Sequence, residues 1–280
     1  MEIVMNEPYS VLMSVYAKDN PRYFSAAIDS ILGQTCKARE IVLVCDGPLT
    51  AGLDQVIARY GEALTVVRLP KNRGLGAALS EGLEHCSCQW VARMDSDDIS
   101  FRDRCARQLA YLEAHPEVDV LSGTLAEFEG AALTQEEAQQ QVTAYKCVPP
   151  DHETAGTYMR RRNPVNHPCV MFRKSRVQQA GGYQSCPLFE DYDLWVRMYL
   201  DQCHFANLQE PILYMRVDGM HQRRGGVRYV RASLDFWGRM YRRHMISLTE
   251  YLWIAAARST VSLLPNKIRR MIYDKKLRKA

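Results

Sequence analysis

Residues 94–98 read Met-Asp-Ser-Asp-Asp, so Asp95, Asp97 and Asp98 put three carboxylates at the end of an apolar run. Like charges this close repel one another, and the pattern asks for a positive partner. Two chemistries answer it. The acids can form a solvated turn or cap a helix, since Asp is favoured in both places. Alternatively Asp95 and Asp97, one residue apart in a turn, can face one hard divalent cation. Mg²⁺ or Mn²⁺ suits such oxygen ligands and is commonly held by one or two carboxylates together with substrate phosphates. A second acidic group, Glu190, Asp191 and Asp193, opens the amphipathic stretch 190–200. Taken alone, these are helix N-terminal acids favoured by the helix dipole. Asp46-Gly47 reads as a turn after an apolar strand. Cys86-Ser87-Cys88 has no second pair at metal-ligand spacing, and its cysteines read as ordinary thiols.

These groups need elements to position them. Short Val-rich runs at 9–16, 40–47, 64–70 and 90–95 read as buried strands. Between them, 21–34, 51–61 and 74–86 carry apolar residues at helical spacing, and Pro21 suits a first helical turn. A further helix is expected over 102–116, closed by Pro116, and a strand over 118–130. The middle of the chain, 131–165, is less regular: a polar helix around 134–141, then a break at Val148-Pro149-Pro150. Residues 163–175 read as a loop entering a strand, and 181–200 as a Gly-rich loop entering a helix. Strands alternating with helices of this length predict an α/β fold with a parallel sheet covered on both faces. Ligands of such sheets bind at the carboxyl ends of the strands, where Asp46 and Asp95 both fall.

Composition sets bounds. The chain has 280 residues, 47% hydrophobic and 24% charged, ordinary values for a globular protein long enough to bury a large core. The formal net charge is +4, but residues 228–280 hold 13 Lys and Arg against 3 Asp and Glu. The remainder is therefore net acidic. No secretory leader is read in Met-Glu-Ile-Val-Met-Asn, and no run approaches a membrane span, so a cytoplasmic chain with reduced cysteines is expected.

Seven ordered stretches resemble one known family. They are 11–35, 40–47, 72–83, 94–123, 166–175, 181–198 and 215–226. Together they resemble a family 2 glycosyltransferase with the GT-A fold, of the bacterial type that builds capsule, exopolysaccharide and O-antigen repeat units. The resemblance implies a Rossmann-like nucleotide-sugar fold with a mostly parallel central sheet; beyond the matched stretches the chain itself reads as C-terminal basic amphipathic helices. It implies a nucleotide diphosphate and Mn²⁺ or Mg²⁺ as the positive partner of the acids. Asp97 would then be the direct metal ligand, with Asp95 touching ribose and supporting the metal. Asp98 would support the metal site or cap the turn. Asp46 would accept from the base, suiting uracil or thymine, with Asp19 and the backbone of Tyr16 nearby. Asn72 to Gly74 lead into a helix N-terminus that favours anions.

On the acceptor side the resemblance makes Asp191 the general base, with Glu190 beside it raising its pKa by repulsion. His167 is expected to contact the acceptor. Trp195 and Tyr192 are packing residues or sugar platforms. Arg223 and Arg224 would neutralise diphosphate or stay solvated. His221 is a lone histidine, structural or metal-binding.

The expected activity is inverting transfer from a nucleotide sugar, UDP-linked for preference, to a lipid-diphosphate-linked saccharide. Two domains are expected: a catalytic one over 1–227 and a basic amphipathic tail over 228–280. That tail mixes Arg and Lys with Phe236, Trp237, Tyr241, Leu252 and Trp253. It fits either an anionic membrane surface, on the cytoplasmic face of the inner membrane, or a helical pair packed on the domain. No motif supports nucleic-acid binding. Two alternatives remain: a sugar-phosphate nucleotidyltransferase, which lacks its Gly-rich basic loop here, and an inactive nucleotide-sugar-binding module.

Overall fold

A computed structural model of the chain describes residues 7–218 and 226–263. In chain order the elements are β1 (Tyr9–Val15), α1 (Pro21–Leu32), β2 (Glu40–Cys45), α2 (Ala51–Tyr60), β3 (Thr65–Arg68), α3 (Leu75–His85) and β4 (Trp90–Met94). Then come β5 (Ile99–Ser100), α4 (Arg104–Ala114), β6 (Val118–Phe128), α5 (Gln135–Gln140), β7 (Val142–Lys146) and α6 (His152–Met159). The chain continues through β8 (Met171–Arg173), α7 (Lys174–Gln179), α8 (Glu190–Leu200), β9 (His204–Arg216), α9 (Gly226–Arg242) and α10 (Leu248–Leu263).

The strands form one sheet in the order β3-β2-β1-β4-β8-β6-β9-β5, with β7 on the far end of β6. The first four are parallel, as the alternating pattern predicted, and so is the β6–β9 pair. Strands β5, β7 and β8 run against them. Six of the nine therefore share one direction.

Period-2 alternation sends side chains to two cores. Val11, Met13 and Val15 of β1 join Ile41, Leu43 and Met94 beneath α1, α2 and α4. Leu12, Val42, Val44 and Val91 face the other way, toward α3, α8 and α9. Caps fix where the helices start: Asn20 accepts from the Arg22 N–H at 2.9 Å, and Asp151 from the Thr154 N–H at 2.9 Å.

Helix α9 is part of the second core. Phe236 stacks on Phe189 at 4.8 Å between ring centroids and lies 4.5 Å from Tyr192. None of the nine cysteines forms a disulfide; seven are buried, Cys36 is half-buried and Cys147, just past β7, is exposed. Among the described residues no helix is long and apolar enough to cross a membrane.

Candidate active site

The β2-β1-β4 ladder brings residues 16–19, 46 and 95–98 to one edge of the sheet. Asp19 ties two of these segments together: one of its oxygens accepts from the Tyr16 N–H at 3.0 Å and from the Ser96 hydroxyl at 2.9 Å. Asp46 is buried and accepts from the Arg73 N–H at 2.7 Å and the Gly74 N–H at 2.9 Å. Asn72 donates its side-chain amide to the Asp46 carbonyl at 3.2 Å. This alters the expectation for Asn72 to Gly74. The N–H groups ahead of α3 are given to Asp46 rather than presented to an anion, so Asp46 orders that loop. Gly74, at φ +88, adopts a backbone that L side chains rarely take.

The acid cluster is intact: one carboxylate oxygen from each of Asp95, Asp97 and Asp98 lies within 4.8 Å of the others. Two arginines hold it. Arg93, at the end of β4 and only 2% exposed, grips both oxygens of Asp95. Arg216, at the end of β9, donates its backbone N–H to Asp98 at 2.8 Å and its Nε–H to the Asp97 carbonyl at 3.1 Å. The same guanidinium lies 3.7 Å over the Tyr23 ring and reaches the Gly130 and Ala132 carbonyls. Neither arginine was singled out from sequence. The available signal was spacing: residues two apart on a strand share a face, so Arg93 and Asp95 had to meet.

Asp98 is 1% exposed, and its second oxygen has no hydrogen-bond partner. Burial first, then repulsion from Asp97 and Asp95, pushes its carboxyl well above the usual range. A buried orphan acceptor beside two further carboxylates fits a hard divalent cation, which would supply the missing positive charge.

Across from this cluster stands α8, whose three N-terminal acids have three different surroundings. Glu190 lies against α3 at Gly76, where an added Cβ would come within 3.1 Å of its Cγ. Asp193 is fully buried and bound by Arg197 at 3.0 Å, Arg243 at 2.7 Å and Arg239 at 3.9 Å. Asp191 is half-buried and accepts from the Asn163 amide at 2.7 Å. Burial raises the Asp191 carboxyl, offset by the Tyr192 N–H, Lys146, Arg93 and Asn163. Burial, rather than the anticipated repulsion from Glu190, is the leading cause.

Arg93 and Tyr183 link the two sides. The Arg93 charge acts on Asp95, Asp98, Asp191 and His167, and Tyr183 lies within range of Arg93, Asp191 and Asp95. The acids at the strand ends and the acid at the helix start therefore all lie within the electrostatic reach of one buried arginine.

On the acceptor side the structure decides one open reading and corrects one expectation. Trp195 is fully buried, edge-on to His167 at 6.0 Å and near Phe172 at 6.3 Å, so it packs the core and offers no sugar platform. His167 is also buried; its Nε2 shares a 2.9 Å hydrogen bond with the Tyr183 hydroxyl, and burial with Arg93 pushes its pKa well below the usual value. A neutral ring held inside the wall is not positioned to meet an acceptor. Tyr192 likewise packs, donating to the Met159 carbonyl at 2.6 Å. His221, Arg223 and Arg224 lie outside the described residues.

Comparison with known proteins gives the family and the fold. Residues 10–175 match the model of glycosyl transferase family 2. The chain is 35% identical to the amylovoran biosynthesis glycosyltransferase AmsE of Erwinia amylovora, covering 95% of this chain and 98% of that one. It is 34% identical to the Escherichia coli UDP-Gal:alpha-D-GlcNAc-diphosphoundecaprenol beta-1,3-galactosyltransferase, covering 97% of each. A mannosyltransferase from Pyrobaculum calidifontis, solved with GDP-Man and Mn²⁺, superposes with a TM-score of 0.62 at 18% identity, over 96% of this chain and 80% of that one. With the matched sequence running through the acid cluster, and the sheet shared with that structure, the chain belongs to glycosyltransferase family 2 and has the GT-A fold.

Proposed function

We propose that the protein transfers a sugar from a UDP-sugar to a lipid-diphosphate-linked saccharide in surface polysaccharide assembly, with inversion at the anomeric carbon. The observation that carries this reading is the pairing of Asp191 with the Asp95–Asp98 cluster around Arg93. The two relatives support the substrate classes: one belongs to exopolysaccharide biosynthesis, and the other is named for a UDP donor and a diphosphoundecaprenol acceptor.

In this reading Asp97 and Asp95, with Asp98 behind them, would hold Mn²⁺ or Mg²⁺, which when bound offsets negative charge on a diphosphate leaving group. Asp46, Asp19 and the Tyr16 backbone wall the base, with Asn72 and Gly74 ordered behind Asp46. Asp191 takes the proton of the acceptor hydroxyl during a single displacement, oriented by Asn163. Glu190 stays against α3. A membrane-facing role for the C-terminal segment is supported by exposed Leu248, Leu252 and Trp253 on α10 and by the excess of basic residues after 227. It would place the active site beside its lipid-linked acceptor, on the cytoplasmic face.

The test is Asp191→Asn, measured as transfer rate with Mn²⁺ beside UDP affinity. Transfer should fall by about 10²–10⁴, as removal of a general base does, with UDP affinity unchanged. A fully active variant, or a product that keeps the donor's anomeric configuration, would refute the assignment.

A further inference from the structure

A cleft of about 680 Å³ opens between the end of α6 and α10, lined among others by Thr154, Tyr158, Arg160, Arg161, Arg162 and Glu250. Three consecutive exposed arginines are costly to hold together, because each guanidinium repels the next. Only Arg160 is neutralised: it pairs with both oxygens of Glu250 at 2.9 Å. The guanidinium groups of Arg161 and Arg162 have no partner among the described residues. Arg258 of α10 adds a fourth charge, donating to the Arg161 carbonyl at 3.2 Å while lying 4.8 Å over the Trp237 ring. The one other acid in the lining is Glu153.

The position of the cleft gives this charge a meaning. Arg162 is bonded to Asn163, the residue that holds Asp191. Their Cα atoms are thus about 3.8 Å apart across a trans peptide. Helix α10, which supplies Glu250 to the other wall, also carries Trp253 one turn further on, outside the lining and 73% exposed. The chain thus runs from the arginine pair straight into the residue that orients Asp191, and the helix that closes the cleft carries an exposed indole. An acceptor whose reacting sugar is joined to a diphosphate and then to a hydrocarbon chain calls for these three kinds of group: a base, cations and an apolar ring.

We propose that Arg161 and Arg162 bind the diphosphate of the lipid-linked acceptor, with Trp253 against the start of its lipid chain. The proposal rests on the acceptor class put forward above. Arginine suits this task because its planar fork meets two phosphate oxygens at once, and a diphosphate offers enough of them for two forks. Phosphate on a bilayer headgroup has the same chemistry, so the test separates the two sources.

The probe is GlcNAc diphosphate carrying a short prenyl chain, in neutral detergent, with UDP-Gal as donor. For Arg161→Gln/Arg162→Gln, calorimetry should show probe affinity about ten- to a hundredfold weaker, the weight of one or two charge-assisted hydrogen bonds. The acceptor KM should rise in parallel, while kcat at saturation, UDP affinity with Mn²⁺ and Tm stay near those of the unaltered enzyme. Arg161→Lys/Arg162→Lys, keeping charge but losing the fork, should fall between. Unchanged probe affinity in an otherwise active enzyme overturns the assignment, as does a loss seen only with anionic vesicles. If the unaltered enzyme neither binds nor glycosylates the probe, the acceptor class itself is wrong, and the proposal falls with it.

Discussion

Asp191 is a carboxylate whose surroundings act in opposite directions. Burial favours its neutral form; the Tyr192 N–H, Asn163 and two cations favour the charged one, and burial prevails. A base works only when ionised, so transfer should decline as pH falls, starting above the range of an ordinary carboxylate. Removing Asn163 takes away a donor to the charged form. The acid limb of kcat/KM for Asn163→Ala should therefore move to higher pH, and a limb that stays put would argue against Asp191 as its source. The stability consequence has the matching sign. A carboxyl raised in the fold contributes most favourably below its unfolded pKa, and that contribution is lost as pH rises through the folded pKa. Asp191→Asn should thus unfold at higher urea than the parent protein at neutral pH. The residues that carry this chemistry were visible in sequence because acids at strand and helix ends stand out. Their holders were less visible. Arg93 looks like an interruption in an apolar strand until the i, i+2 rule pairs it with Asp95, and Arg216 has no local signal because its partners are 118 or more residues away or carbonyls of a loop.

Among the elements, α3 shows how closely the site is framed. Its Gly82 faces the sheet, where an added Cβ would fall 2.5 Å from both Leu12 Cδ1 and Val44 Cγ2. Helix propensity alone favours Ala over Gly by about 1 kcal/mol. Val44 is β-branched and fully buried, so it has little freedom to yield. Gly82→Ala should therefore lose stability, by about 1–3 kcal/mol in urea unfolding; a gain would mean that α3 can lift from the sheet. The parallel half of the sheet was legible because each strand there is a short apolar run closed by a turn. Strand β9 was not. It carries Gln209, Glu210 and Pro211 in mid-course, and Pro in a run argues against a strand. The fold accommodates them in a register shift: Gly123 faces Leu208, and the next residue, Thr124, faces Pro211. Only tertiary pairing with β6 reveals that bulge. Strand β7 was missed as well, since its alternation is between half-buried and exposed positions and leaves little apolar contrast.

For the molecule as a whole, the described side chains after 227 serve two ends. Arg239 and Arg243 point inward to the buried Asp193, tying α9 to the helix that carries Asp191. Trp253, Leu252 and Leu248 point outward. Removing the chain from residue 226 would leave Asp193 with Arg197 alone and strip Phe236 from Phe189 and Tyr192, so that truncation should give unfolded or aggregated protein. Membrane attachment is better read from Leu252→Ser/Trp253→Ser, which alters only exposed positions. That variant should keep the parent Tm and lose sedimentation with anionic vesicles, most clearly at high salt, where the attraction of the basic residues is screened. Retained sedimentation would move the attachment elsewhere. The sequence showed the excess of charge; which arginines were already engaged depended on where α8 lay.

Cys147 has a practical use that follows from its placement. It is the one exposed thiol among nine, and it follows Lys146, whose charge bears on Asp191. An environment-sensitive dye attached there would sit at the rim of the acceptor side while the buried thiols stay unlabelled. Its emission would time the arrival of an acceptor separately from the arrival of a nucleotide, and so give the order in which the two substrates bind without any turnover.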